Sequence, residues 1–188
     1  SGAAANLTLK ATSNSFNSLI LDSNRSADTQ FAILDGRWNG NPVARIQYVT
    51  GSDGTNKDDG YMAFHTRESG QSLSGRFYIK SDGKVLIGDG TTYNPQGLLH
   101  IVGDDNSNGP ELYLQVSNNN TTDNIGALVF GNNVDKSIVK IQGVTHTANN
   151  TGDLTFHTST TGTMSEKFRI KSDGNIVHSS NTASQIAK

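Results

Sequence analysis

The sequence predicts an all-β protein made of two tandem repeats of β-sandwich or β-prism type. Three observations support this prediction. Apolar and polar residues alternate over short segments, turn-forming residues separate those segments, and the whole pattern occurs twice. Apolar residues at helical spacing are hard to find anywhere in the chain.

Seven segments of the first repeat have the alternation expected of strands. They are residues 7–9, 19–21, 31–33, 44–48, 61–66, 77–80 and 85–87. Between them, Asp35-Gly36, residues 51–54 and Ser81-Asp82-Gly83 predict turns, because Asp and Gly tolerate the positive φ angles of tight turns.

The repeat is visible in two closely matching segments. Residues 60–66, GYMAFHT, recur as GDLTFHT at 152–158, and residues 77–83, FYIKSDG, recur as FRIKSDG at 168–174. A weaker match joins Leu7 and Leu9 to Leu99 and Ile101. Because the order of matches is unbroken, we predict a first β repeat at residues 1–94, a second at 95–180 and a polar tail at 181–188.

The composition favours an oligomer. Asn, Ser, Thr and Gly make up 79 of the 188 residues, whereas Leu, Ile, Val and Phe number 42. Such a chain builds only a thin core, and small domains already bury little of their surface. Burying the remaining apolar faces against identical chains would remedy this.

Several classes of function are disfavoured. The net charge of −2 comes without a basic block, which argues against nucleic acid binding, and no apolar run approaches a membrane span. The chain has no cysteine, and it lacks the common nucleophile, zinc and phosphate-binding motifs. Its aspartates lie mostly beside Gly, Asn or Ser, where they favour turns. We therefore expect a protein that is not an enzyme and needs no cofactor.

One motif resembles a known family. Residues 152–158, followed by Glu166-Lys167 and FRIKSDGNI at 168–176, are similar to repeats of bacteriophage tail fibres. The resemblance also includes Val85–Gly88 at the end of the first repeat, and it continues through Pro95 to Leu98–Ile101. Residues 177–180, VHSS, depart from the Ile-Gly-Thr usual there. The resemblance implies a parallel homotrimer in the virion tail, outside the cell, that contacts other tail proteins and a host glycan or outer-membrane receptor. Such repeats often precede an intramolecular chaperone domain, which is cleaved off after trimerisation.

Candidate contact residues follow from side-chain chemistry. Arg37, Trp38 and Asn39 form a predicted loop with the chain's single tryptophan, and Tyr93 lies in the linker between repeats. An exposed aromatic ring flanked by polar groups suits a receptor contact. The alternative is that Trp38 packs at the subunit interface, where aromatic residues are enriched.

Metal sites have weaker support. His65 and His157 occupy the same place in both repeats, so three symmetry-related copies could hold an ion, or each could form a hydrogen bond at a subunit seam. Asp104 opens a segment that matches the first half of a calcium loop, but Gln115 stands where the closing acid is needed.

The predicted function is a structural and adhesive segment of a phage tail fibre. One alternative is a stand-alone carbohydrate-binding β module that uses Trp38 as a monomer. A polysaccharide depolymerase domain is a further alternative, which the absence of clustered acid pairs disfavours.

Overall fold

The computed structural model describes residues 7–88, 94–103, 109–117 and 121–178. Within these ranges the chain forms eleven β-strands and no helix, so the all-β class is confirmed. None of the described residues belongs to a helix that could cross a membrane. The chain divides into two compact units, Ser1–Glu111 and Leu112–Lys188.

The first unit contains one sheet whose six strands are ordered as in the sequence. Neighbouring strands are antiparallel, except that β5 and β6 are parallel. The strands are β1 Gln30–Trp38, β2 Asn41–Thr50, β3 Gly60–Arg67, β4 Leu73–Ile79, β5 Val85–Ile87 and β6 Leu99–Ile101.

The second unit contains a sheet of five antiparallel strands, also ordered as in the sequence. The strands are β7 Asn124–Phe130, β8 Val139–His146, β9 Ala148–Thr160, β10 Thr163–Ile170 and β11 Ile176–His178. The segments matched in the sequence, 60–66 and 152–158, lie in β3 and β9, each the third strand of its sheet.

Two features of the prediction are wrong. The described residues of each unit form a single sheet instead of two packed sheets, so the β-sandwich alternative is wrong for a single unit, while the β-prism alternative stays a prediction. Residues 7–9 and 19–21 alternate like strands, yet neither segment is part of a strand. Alternation alone does not make a strand, because backbone groups also need a neighbour with which to form hydrogen bonds.

The turn predicted at Asp35-Gly36 is also wrong, since β1 runs straight through it. The Asp35 carboxylate accepts hydrogen bonds from Arg45 Nε at 2.7 Å and from Arg37 Nη2 at 3.0 Å, which hold it across the β1–β2 pair. In contrast, the Ser81-Asp82-Gly83 turn is confirmed: Gly83 has φ of +80° and donates its N–H to the Lys80 carbonyl at 3.0 Å.

Each sheet presents one apolar face, because residues paired across strands point to the same side. In the first unit one row of paired residues crosses all six strands: Leu34, Ile46, Phe64, Phe77, Ile87 and Ile101. The next row on that face is Ala32, Tyr48, Met62, Ile79, Val85 and Leu99. The corresponding rows of the second unit are Leu128, Ile141, Phe156, Phe168 and His178, then Gly126, Gly143, Leu154, Ile170 and Ile176.

The buried residues lie elsewhere. In the described part of the chain the buried hydrophobic side chains are Val49, Ala63, Tyr78 and Leu86, all of the first unit and all on the opposite face of its sheet. The buried residues of the second unit are polar: Gln142, Asp153 and Thr155. Neither apolar face has a second sheet of its own unit packed upon it.

Candidate functional site

The hairpin that joins β1 to β2 presents Trp38 at its tip. Trp38 pairs with Asn41, and the two residues between them, Asn39 and Gly40, have φ of +46° and +81°. Positive φ at both central residues is the type I′ geometry, for which Asn-Gly is the favoured sequence. The Trp38 side chain is 79% exposed.

Trp38 lines an open cleft of about 750 Å³ between two hairpins. Asn39, Asn41 and Val43 line the same side, and residues 67–70 of the β3–β4 connection line the other. The cleft is therefore lined by the flat ring of Trp38, the guanidinium of Arg67, the carboxylate of Glu68 and the amides of Asn39 and Asn41. A ring that stacks on an apolar face, with polar groups around it, is a combination suited to binding a sugar ring.

The predicted contact residues are only partly brought together. Trp38 and Asn39 line the cleft, whereas Arg37 supports the hairpin, donating to the Gly40 carbonyl at 3.4 Å. Tyr93 lies outside the described residues. Arg67 and Glu68 were not predicted as site residues, because nothing in the sequence indicates that the β3–β4 turn lies beside the β1–β2 turn.

Among the described residues of the second unit, the turn between β7 and β8 has no such cleft-lining aromatic residue. There the Asn132 side-chain carbonyl accepts the N–H groups of Val134 at 2.8 Å and Asp135 at 2.9 Å, which gives a compact turn. The Trp38 site therefore belongs to the first unit alone.

The two histidines lie on the face opposite the apolar rows. The His65 ring is half-buried beside Tyr78, with 6.4 Å between ring centroids, and burial lowers its pKa. His157 Nε2 is 3.0 Å from Thr155 Oγ1. No group of three His, Asp or Glu side chains that could hold a metal ion occurs among the described residues, and Asp104 lies outside them.

Arg169 organises the polar face of the second sheet. Its Nη1 donates to Asp153 Oδ2 at 2.7 Å, while its Nε and Nη2 donate to the two carboxylate oxygens of Glu166 at 2.9 and 2.6 Å. The buried Asp153 also accepts the Ser172 N–H at 3.0 Å. These bonds lower the pKa of both carboxylates, first through the hydrogen bond from Arg169 in each case.

The apolar face of each sheet is the second candidate surface. Eight aliphatic side chains in its rows are more than one third exposed: Leu34, Ile79, Ile87, Leu99, Leu128, Leu154, Ile170 and Ile176. Apolar area of this extent, arranged in continuous rows, is typical of an interaction surface. Covering each half-exposed side chain would contribute about 1 kcal/mol.

Comparison with known proteins gave limited likeness. No family model and no curated protein matches the chain. The carboxy-terminal domain of the bacteriophage T5 L-shaped tail fibre is 10% identical, with a TM-score of 0.38, and the alignment covers 87% of this chain and 84% of that one. The structure of that domain with its intramolecular chaperone domain gives 9% identity, a TM-score of 0.38, and coverage of 87% and 58%. A TM-score below 0.5 does not establish a common fold.

Proposed function

We propose that the chain is a structural and adhesive segment of a bacteriophage tail fibre, that it works as a parallel homotrimer, and that it is not an enzyme. The observation that carries the proposal is the apolar face of each sheet. Its paired rows run across every strand, and no second sheet of the same unit packs upon them. Identical faces from neighbouring chains are the simplest covering for such a surface.

The number three and the location in a virion tail rest on the sequence motif. The segments Gly152–Thr158 and Phe168–Ile176, which resemble tail-fibre repeats, fall in β9, β10 and β11. In a trimer with a central axis, three such faces would enclose one apolar interior, and the polar faces with Arg169 and His157 would point outward. The other tail proteins and a host surface receptor would then be its partners.

An exposed coil segment supports the same proposal. Leu19 and Leu21 are exposed although they alternate as strands do. In the single chain their backbone groups lack a sheet edge. Neighbouring chains would provide one, and the predicted strands would then form on assembly.

The first test is the mass in solution, measured by light scattering with size-exclusion chromatography. We expect three times the chain mass of 20.0 kDa, or a whole multiple of that trimer mass where trimers associate further. A folded chain that remains at 20 kDa at micromolar concentration would contradict the proposal.

A matched pair of variants identifies the surface. Leu128 and Val129 are neighbours in β7 with nearly equal exposure, 47% and 49%, but they point to opposite faces of the sheet. Leu128→Glu would place a carboxylate from each chain in the apolar interior, so we expect the trimer to dissociate. Val129→Glu, beside Lys140 on the polar face, should leave the mass unchanged. Equal behaviour of the two variants would exclude the apolar face as the interface.

A second function, glycan binding, is favoured by the Trp38 cleft. We expect Trp38→Ala to reduce glycan binding on an array by at least tenfold while the mass in solution stays the same. Loss of assembly with unchanged glycan binding would assign Trp38 to the interface. Glycan binding by a stable monomer would favour the free-standing carbohydrate-binding module over the fibre.

A further inference from the structure

At the junction between the two predicted repeats, a strand of the second repeat pairs with the sheet of the first. The segment Leu99–Ile101, which matches Leu7–Leu9 at the start of the first repeat, forms β6 and completes the sheet of the first unit beside β5. Val85 N–H donates to the Leu98 carbonyl and Val102 N–H donates to the Ile87 carbonyl, both at 2.8 Å. The opening strand of one repeat therefore closes the sheet of the repeat before it.

This closure buries the centre of β5. Leu86, opposite His100, is 0% exposed, and Val102 packs against the same core cluster. In the second sheet Val177 takes the place of Leu86, since β11 pairs with β10 as β5 pairs with β4. Val177 lies in the last strand of its sheet and is 37% exposed. The position is therefore built to be covered by a further strand.

The complementary half lies at the other end of the chain. Leu7-Thr8-Leu9 has the pattern of Leu99-His100-Ile101, but it forms no strand, and the Leu7 side chain is 81% exposed. The edge strand β11 is thus suited to pair with an opening strand. Leu7–Leu9 of the same chain is an opening segment that is not part of a sheet.

We propose that Leu7–Leu9 of a second copy adds as a parallel strand to β11, which joins copies end to end. The register of β5 and β6 sets the geometry: Leu7 would lie opposite Ile176, and Thr8 opposite Val177. Such strand addition obtains its affinity from main-chain hydrogen bonds and its register from alternate side chains. Because the two surfaces differ, the contact is heterologous, so each copy can donate its strand to one neighbour and accept a strand from another. It uses a sheet edge and does not depend on the number of chains that associate through the apolar faces.

Cysteine cross-linking tests the register, because the natural chain has no cysteine. Adjacent strands lie within the Cα separation that a disulfide needs. We expect oxidised Thr8→Cys/Val177→Cys to give a ladder of two, three and more covalently linked chains on a non-reducing gel. The control Thr8→Cys/Ile176→Cys moves one thiol by a single residue to the other face and should give at least fivefold less of the higher species. Each single-cysteine variant can give no more than dimers.

Two results would overturn the proposal. One is an equal ladder from both double variants, which would indicate random collision. The other is closure of the disulfide within a single chain. Neither result bears on the trimer, whose mass is measured without cysteines, so failure of the end-to-end contact is distinguishable from failure of the proposed function.

Discussion

Among single residues, Arg169 has the most direct effect on the stability of the second unit. It satisfies Glu166 and the buried Asp153 together. In Arg169→Met the Asp153 carboxylate would retain only the Ser172 N–H as its described partner. The folded state is destabilised when a buried carboxylate loses a charged hydrogen-bond donor. We expect a loss of about 2 kcal/mol in the free energy of unfolding, measured by urea titration. Lys167→Met, at the neighbouring exposed position, is the control and should cost less than 0.5 kcal/mol, a value typical of surface sites.

The same ion pairs make the stability depend on pH. The hydrogen bonds from Arg169 lower the pKa of Asp153 and Glu166, so the folded chain binds fewer protons than the unfolded chain in the acid range. The two ion pairs contribute fully to stability above the pKa values of the carboxyl groups in the unfolded chain, near pH 4. This contribution is lost as the pH falls through the lower pKa values of the folded chain. We expect the difference in Tm between the natural chain and Arg169→Met to be constant from pH 7 to 5 and to shrink towards pH 3. A constant difference down to pH 3 would show that Arg169 acts by packing alone.

The sequence did not indicate this cluster, because aspartates in this chain were interpreted as turn formers. Asp153 instead lies inside β9. The register of the two sheets places Tyr61 and Tyr78 of the first unit where Asp153 and Arg169 stand in the second. Those rings receive Lys80 Nζ at 4.5 and 5.3 Å from their centroids. The two sheets therefore have different chemistry at matching positions of their registers, which only cross-strand pairing reveals.

Among the elements, the β1–β2 hairpin has the clearest dependence on a single turn. Gly40 has φ of +81°, and a Cβ added there would meet no atom within 4 Å. Gly40→Ala therefore destabilises the turn only because a residue with a Cβ disfavours positive φ. We expect a loss of about 1 kcal/mol in the free energy of unfolding. Gly36→Ala is the control: it lies in β1, and its added Cβ would make ordinary contacts at 3.6 and 3.7 Å with Ala44. Its effect should be small or slightly stabilising, and a larger loss than for Gly40→Ala would contradict the turn assignment.

Local signals predicted the elements to different extents. The Ser-Asp-Gly turn before β5 was predicted correctly, because a tight turn is specified by the residues that form it. The break at Asp35-Gly36 was wrong because Arg45, ten positions away, pairs with Asp35 and keeps it in a strand. Residues 7–9 and 99–101 have the same pattern, and only the second segment has a sheet edge to join. Strand formation at these positions depends on partners that the sequence pattern does not name.

At the scale of the whole molecule, the all-β class could be predicted because alternation and turn residues recur along the entire chain. The single-layer sheets could not, because alternation places apolar residues on one face without indicating what covers that face. The thin core expected from the composition fits the structure: the buried hydrophobic residues described are Val49, Ala63, Tyr78 and Leu86. The exposed rows of the apolar faces are therefore a large source of stability that a covering surface could add.

If other copies of the chain provide that covering surface, thermal unfolding should depend on protein concentration. If the apolar faces are covered by other chains, association stabilises the folded state by mass action, and the Tm rises with the total concentration of chain. We expect a clear rise in the Tm of the natural chain over a hundredfold range of concentration, measured by circular dichroism and by scanning calorimetry. Leu128→Glu should have a lower Tm that does not change with concentration, whereas Val129→Glu should follow the natural chain. A Tm of the natural chain that is independent of concentration, together with a mass of one chain, would mean that each sheet is stable with its apolar face in water, and the fibre assignment would then lose its physical basis.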